Sequence, residues 1–184
     1  MEISDDDILL WLKTPGQQEK GFRALVSKYS ERLYWHIRKM VIEHEDANDV
    51  LQNTFLKTFR GIEKYKGNAA LYTWLYRIAT NESLTFLEKL KRRKTVNIDD
   101  AANTLDRQLK SEAYYEGDHI QRTLQLAIAT LPDKQKMVFN MRYFDNMKYE
   151  DISQILQTSV GALKASYHHA KNKIEEYVRH RSGL

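Results

Sequence analysis

Between residues 20 and 40, the apolar side chains Phe22, Leu25, Val26, Tyr29, Leu33 and Ile37 recur every three or four positions. That is the spacing of one face of an α-helix. The stretch EDANDVLQNTFLKTF, residues 45–59, repeats the pattern, with Ala47, Leu51, Phe55, Phe59 and then Ile62 expected on the core side. A breaker, YKGNAA at 65–70, precedes a third long helix, LYTWLYRIATNESLTFLEKLKRRK, in which Leu71, Leu75 and Ile78 stack on one face. There the period stops: residues 95–118 hold no sustained apolar repeat and read as a flexible linker. Beyond them Leu124, Ala127, Ile128 and Leu131 form another amphipathic face, and Pro132 suits the first turn of the next helix. Met137, Val138, Met141 and Phe144 carry that face to the turn FDNM. KYEDISQILQ and VGALKASYHHAKNKIEEYV then read as two helices joined by about four residues, a helix-turn-helix spacing. Ser159 is placed as N-cap of the second, and Ala162 cannot complete a capping box.

Strand-like alternation is scarce, and the 184 residues include only seven glycines and two prolines. The expected fold is all-α: two small helical domains joined by a flexible acidic linker, the C-terminal one a helix-turn-helix. The boundaries read as 1–94, 95–118 and 119–184.

Charge sharpens this division. Residues 1–94 hold 17 Lys/Arg against 13 Asp/Glu, residues 95–118 hold 2 against 6, and residues 119–184 hold 10 against 6. Two basic blocks therefore flank an acidic spacer, and the net charge of +4 and pI of about 9.1 permit a nucleic-acid partner. The absence of cysteine excludes disulfides, thiolate metal sites and cysteine nucleophiles. No apolar run approaches a membrane span, and the acidic start MEISDDDILLWL is unlike a signal peptide, so a cytoplasmic protein without membrane insertion is expected.

Three surfaces carry candidate chemistry. A helix entering the major groove needs hydrogen-bond donors near its N-terminal half, because base edges and phosphates mainly accept hydrogen bonds there. Lys164, Ser166, His168, His169 and Lys171 could supply them, although an αα-hairpin with a solvated basic side would share the pattern. In the third helix, Trp74, Arg77 and Asn81 share a flank, with Tyr72 and Tyr76 on the other. Rings beside Arg and Asn suit unpaired bases, through stacking, phosphate contact and amide readout, although aromatic stripes also build cores. KLKRRK at 89–94 would neutralise phosphates or simply end a solvated helix. On the helix at 45–59, Asp46, Asp49, Gln52 and Asn53 surround an exposed Leu56, a combination that fits docking of a basic protein partner. Adjacent His168 and His169 diverge on a helix and make a poor metal pair, and His36 and His44 have no carboxylate at a convincing spacing. No nucleophile elbow, P-loop or paired-carboxylate motif is present, so neither catalysis, a metal nor a cofactor is expected.

Taken together, these motifs resemble the extracytoplasmic-function (ECF) group of bacterial sigma factors, in the sigma-70 family, over nearly the whole chain. EDANDVLQNTFLKTF is similar to the group's polymerase-binding stretch, typically D-A-x-D-L-V-Q-E-x-F, with Asn53 in place of the usual Glu. YKGNAALYTWLYRIATNE resembles the segment that melts and reads the minus-ten element. The stretch LPDKQKMVFNMRYFDNMKYEDISQILQTSVGALKASYHHAKNKI resembles the domain that reads the minus-thirty-five element.

The resemblance implies that Asp46, Asp49, Gln52, Asn53 and Leu56 face core RNA polymerase. It implies that Tyr65, Asn68, Ala69, Tyr72, Trp74, Arg77 and Asn81 face the melted minus-ten strand, with one flipped base held by the loop at 65–70. Ser159, Gly161, Lys164, Ser166, His168, His169 and Lys171 would face minus-thirty-five duplex DNA. Where the group commonly has G-T-V-K-S-R-L-x-R-A-R, this chain has GALKASYHHAK, so Ala162, Ala165, Ser166 and His169 replace hydroxyl or arginine positions. The resemblance also implies an anti-sigma factor as partner and an acidic spacer threading the polymerase. Two rival readings are a stand-alone helix-turn-helix regulator with residues 1–94 as a dimerisation or sensing domain, and a protein-only adaptor.

Overall fold

The computed structural model describes residues 3–93 and 119–182, all of whose regular elements are helical. The stretch read as an acidic linker, 95–118, lies outside the described residues, as does Lys94 of the KLKRRK run. The chain forms two compact units.

In the first unit, α1 (Asp5–Lys13) starts because the Ser4 hydroxyl accepts the Asp7 N–H at 3.1 Å and three aspartates sit at the positive end of the helix dipole. It stops where Thr14 turns extended and Pro15 and Gly16 follow, Gly16 at φ +81°. The chain then reverses into α2 (Gln18–Arg38). The two helices touch at Gly21, where a Cβ would lie 2.7 Å from the Leu12 backbone nitrogen. No larger residue fits without moving the helices apart. The Tyr29 hydroxyl donates to the Asp5 carboxylate at 2.7 Å, and Lys28 pairs with the same carboxylate at 2.8 Å, which fastens the start of α1. Burial, then the Asp5 hydrogen bond, raise the Tyr29 pKa, so the hydroxyl stays a donor.

α3 (His44–Gly61) buries Ala47, Val50, Thr54, Phe55 and Thr58. Thr54 and Thr58 return their hydroxyl protons to carbonyls one turn back, at 2.8 Å, and so behave as apolar volume. This corrects two expected core positions. Leu51 is half-buried, and Phe59 is 44% exposed, meeting Phe22 edge-on at 5.3 Å. An i, i+4 row drifts by about 40° per step, so after three steps Phe59 has rotated about 120° from Ala47. A single 3₁₀ turn (Ile62–Lys64) leads through the loop into α4 (Leu71–Arg93), whose buried side includes Leu71, Leu75, Tyr76, Ala79 and Thr80. His36 of α2 is 1% exposed; its Nε2 lies 3.0 Å from the Thr80 hydroxyl and its ring packs on Tyr76 at 4.8 Å. It is a core histidine.

The second unit comprises α5 (His119–Ala129), α6 (Asp133–Tyr143), α7 (Tyr149–Leu156) and α8 (Val160–Ser182). Ala127, Ile128, Leu131, Phe139, Ala170 and Ile174 form one buried cluster, so α8 is the element on which α5 and α6 assemble. Pro132, read as suiting the first turn of the next helix, stands just before that turn as the N-cap of α6, with ψ 143°. Phe144, expected on the buried face, is 37% exposed because α6 ends at Tyr143 and the chain turns there. Lys136 is buried, and loss of water around its ammonium lowers its pKa against the opposing pull of Asp133.

Candidate docking and nucleic-acid interfaces

On α3 the side opposite the core presents Asp49, Gln52, Asn53 and Leu56 to solvent, with Asp46 half-buried at its N-terminal end. Leu56 is 45% exposed among them. Glu43, the N-cap, makes no side-chain cap, so Glu45 and Asp46 in the first turn also stabilise the helix start. Asp49, beyond that turn, is free of this duty. Lys57 borders the face and is ion-paired to Glu82 of α4. Phe59 was missed as a surface residue: it stands one turn beyond Leu56 and extends the apolar part of this side.

The loop between the 3₁₀ turn and α4 is shaped by Tyr65. Its side chain is buried, its hydroxyl donates to the Ala69 carbonyl at 2.5 Å, and its ring leans on Trp74 at 5.0 Å. The Tyr65 carbonyl accepts Lys13 Nζ at 3.1 Å, which ties the loop to α1. Gly67, at φ +75°, allows the chain to double back, and Asn68 is left exposed at the tip. Ala69 is half-buried. Along α4, Trp74 and Arg77 are half-buried and Asn81 is exposed, all on one flank; Trp74 lies over Gly61, 3.5 Å from where a Cβ would be. On the other flank Tyr72 is half-buried and meets Tyr76 at 5.0 Å. Tyr76 itself is core.

In the second unit, α7 ends at Gln157, which takes a left-handed conformation (φ 51°, ψ 46°), and α8 begins at Val160. The turn is therefore three residues, Gln157, Thr158 and Ser159, one fewer than expected. The Ser159 hydroxyl accepts the Ala162 N–H at 3.3 Å and caps α8. With Leu163, Ala170 and Ile174 buried, Gly161, Lys164, Ala165, His168 and Asn172 line the exposed face at helical spacing. His169 borders it, while half-buried Ser166 and exposed Lys171 lie on opposite flanks. Lys171 pairs with Glu175 at 3.5 Å. Asn172 was missed although it sits one turn after His168; its amide nitrogen lies 3.2 Å from His168 Nε2. The two adjacent imidazoles have centroids 6.1 Å apart.

Comparison with known proteins matches both units in chain order. The description "Sigma-70 region 2" fits residues 25–93, and "Sigma-70, region 4" fits residues 121–174. The chain is 30% identical over 169 residues to an ECF RNA polymerase sigma-E factor of Haemophilus influenzae, covering 88% of this chain and 89% of that one. It is 29% identical over 180 residues to RNA polymerase sigma-H factor of Pseudomonas aeruginosa, with 88% of each chain covered. Among solved structures, the sigma factor RpoE in complex with the anti-sigma factor NepR from Bartonella quintana superposes with a TM-score of 0.64. It shares 18% identity and covers 87% of this chain and 98% of that one, a likeness of fold. Two sigma-70 regions in order, and relatives matched along most of their length, show that the chain belongs to the ECF sigma factors of the sigma-70 family, which direct RNA polymerase to promoters.

Proposed function

We propose a division of labour for this sigma factor: residues 1–94 bind core polymerase and open the minus-ten element, 95–118 form the spacer, and 119–184 read the minus-thirty-five element. The α3 face of Asp46, Asp49, Gln52, Asn53 and Leu56 docks on polymerase. Trp74, Arg77 and Asn81, with Tyr72 and the loop of Tyr65, Asn68 and Ala69, meet the unpaired minus-ten strand. The exposed face of α8, with Ser159, Gly161, Lys164 and His168, flanked by Ser166, His169 and Lys171, enters the major groove.

The observation that carries this reading is the partition of α3. Asp49, Gln52, Asn53 and Leu56 are exposed while the packing of the unit is completed by the opposite side of the helix. A polar face with one exposed leucine fits a polymerase surface better than it fits solvent. The factor performs no covalent chemistry and acts in the cytoplasm. Because RpoE is known with an anti-sigma factor, we assign this chain an anti-sigma partner that covers the same faces.

Two substitutions test the assignment. Asp49→Lys should weaken holoenzyme assembly about tenfold or more, roughly 1.4 kcal/mol, without changing the melting temperature of the free factor. Unchanged assembly would remove α3 from the interface. Asn81→Ala should leave assembly intact and reduce permanganate-reactive thymines at the minus-ten element; equal reactivity would remove Asn81 from strand opening. Membership spanning both units leaves no support for the stand-alone regulator.

A further inference from the structure

The loop at 65–70, set against the minus-ten strand in the proposed function, is held from outside by α1, a helix to which that function assigns no contact. α1 packs against the 3₁₀ turn that precedes the loop. Lys13, in the last turn of α1, donates from Nζ to the Tyr65 carbonyl at 3.1 Å, and the same ammonium lies 5.7 Å from the centroid of the Tyr65 ring. One cation therefore holds both the backbone and, within the range of cation–π attraction, the ring of the residue that opens the loop. The C-terminal end of the α1 dipole favours a cation at that place.

From Tyr65 the constraint runs into the loop. The side chain is buried and leans on Trp74 at 5.0 Å, and its hydroxyl donates to the Ala69 carbonyl at 2.5 Å, so one residue spans the loop from entry to exit. Burial, then the charges of Asp5 and Asp6, raise the Tyr65 pKa, which keeps the hydroxyl a donor. Between these ends Lys66, Gly67 and Asn68 are exposed, and Gly67 turns at φ +75°. A segment with so few buried contacts is ordered mainly by what holds its ends. α1 is itself fastened to α2: Tyr29 and Lys28 both reach Asp5, and Lys28 Nζ also donates to the Ile3 carbonyl at 2.9 Å.

We propose that Lys13 is a positioning residue for base capture at the minus-ten element: by holding the Tyr65 carbonyl it fixes the conformation in which the loop receives an unstacked base. The inference rests on the reading of this loop as a minus-ten contact and deepens it, because the selectivity of the loop then depends on a side chain 52 residues away in sequence. A loop ordered before DNA arrives loses less conformational entropy on capture than a loose one.

Two measurements on the full chain test this. Backbone NMR order parameters of the free factor read the loop without DNA. Lys13→Met, which keeps the stem and removes the donor, should lower those of residues 66–68 from about 0.8 to below about 0.6, and Lys13→Arg, which can still donate, should restore them. Unchanged order parameters would overturn the proposal. Lys13 is exposed, so its replacement leaves the packing of Ile8 and Leu12 intact. In the second measurement, holoenzyme is offered promoter fragments, mapped from its own run-off transcripts, with randomised minus-ten bases, and heparin-resistant open complexes are sequenced. The captured position is the one whose base preference changes in Asn68→Ala. There Lys13→Met should reduce the enrichment of the favoured base by about 2–10-fold, with holoenzyme assembly and the other positions unchanged, and Lys13→Arg should restore it. A uniform loss at every position would mark a merely structural role and overturn the proposal. If Asn68→Ala alters the preference and Lys13→Met does not, the loop reading stands and the role of Lys13 falls. If neither alters it, the loop does not read DNA and both fall.

Discussion

Tyr29 shows how a single side chain couples this fold to its charge state. Its hydroxyl is buried and donates to Asp5, and both burial and that carboxylate disfavour the phenolate. The pKa in the folded chain therefore lies above the ordinary 10.0. The stabilisation is complete below the unfolded value and is lost as pH rises past it, because the unfolded chain then releases a proton that the folded chain retains. Thermal melting from neutral pH upward should show the wild-type melting temperature falling more steeply above pH 10 than that of Tyr29→Phe. Parallel curves would contradict the coupling. The sequence marked Tyr29 as core by its spacing, but not Asp5 as its partner, because the pair depends on α1 folding back across Gly21. His36 is a similar case: its spacing gave no carboxylate, and the structure supplies Thr80 and Tyr76 from α4 instead.

Helices were the most legible level, since period, caps and breakers are local signals. The start of α8 was readable from Ser159 alone, and the cap predicts a measurable cost. Ser159→Ala should destabilise the second unit by about 1 kcal/mol, and Ser159→Asn, which can still accept the Ala162 N–H, should restore most of it. Chemical denaturation resolves this; equal stability of the alanine variant would mean the orphan N–H is satisfied another way. The polar side of α3 was readable too, because Asp46, Asp49 and Asn53 recur at helical spacing around Leu56. Its apolar edge was not. Phe59 counts as core by its i, i+4 spacing, yet helical drift carries it to the rim, where Phe22 covers one edge. The grouping of Arg142 and Lys164 around the Tyr149 ring was out of reach for a different reason. Arg142, Tyr149 and Lys164 come from three helices and meet only through the turns at Asn146 and Gln157, both left-handed without being glycine. The sequence alone does not give those turn conformations.

At the scale of the whole molecule, the proposed function divides promoter selection between the two units. One carries the exposed polar face of α3 together with rings beside Arg77 and Asn81; the other carries a capped helix with Lys164, His168 and Asn172 on its exposed face. If affinity is spread in this way over polymerase, phosphates and bases, the free factor should bind duplex DNA weakly and the holoenzyme selectively. The most direct measurement is run-off transcription by bacterial core polymerase lacking sigma, with and without this chain, on fragmented DNA from its source. The account predicts discrete new transcripts that depend on the chain and vanish with Asp49→Lys. Absence of such transcripts, together with tight binding of duplex DNA by the chain alone, would contradict it.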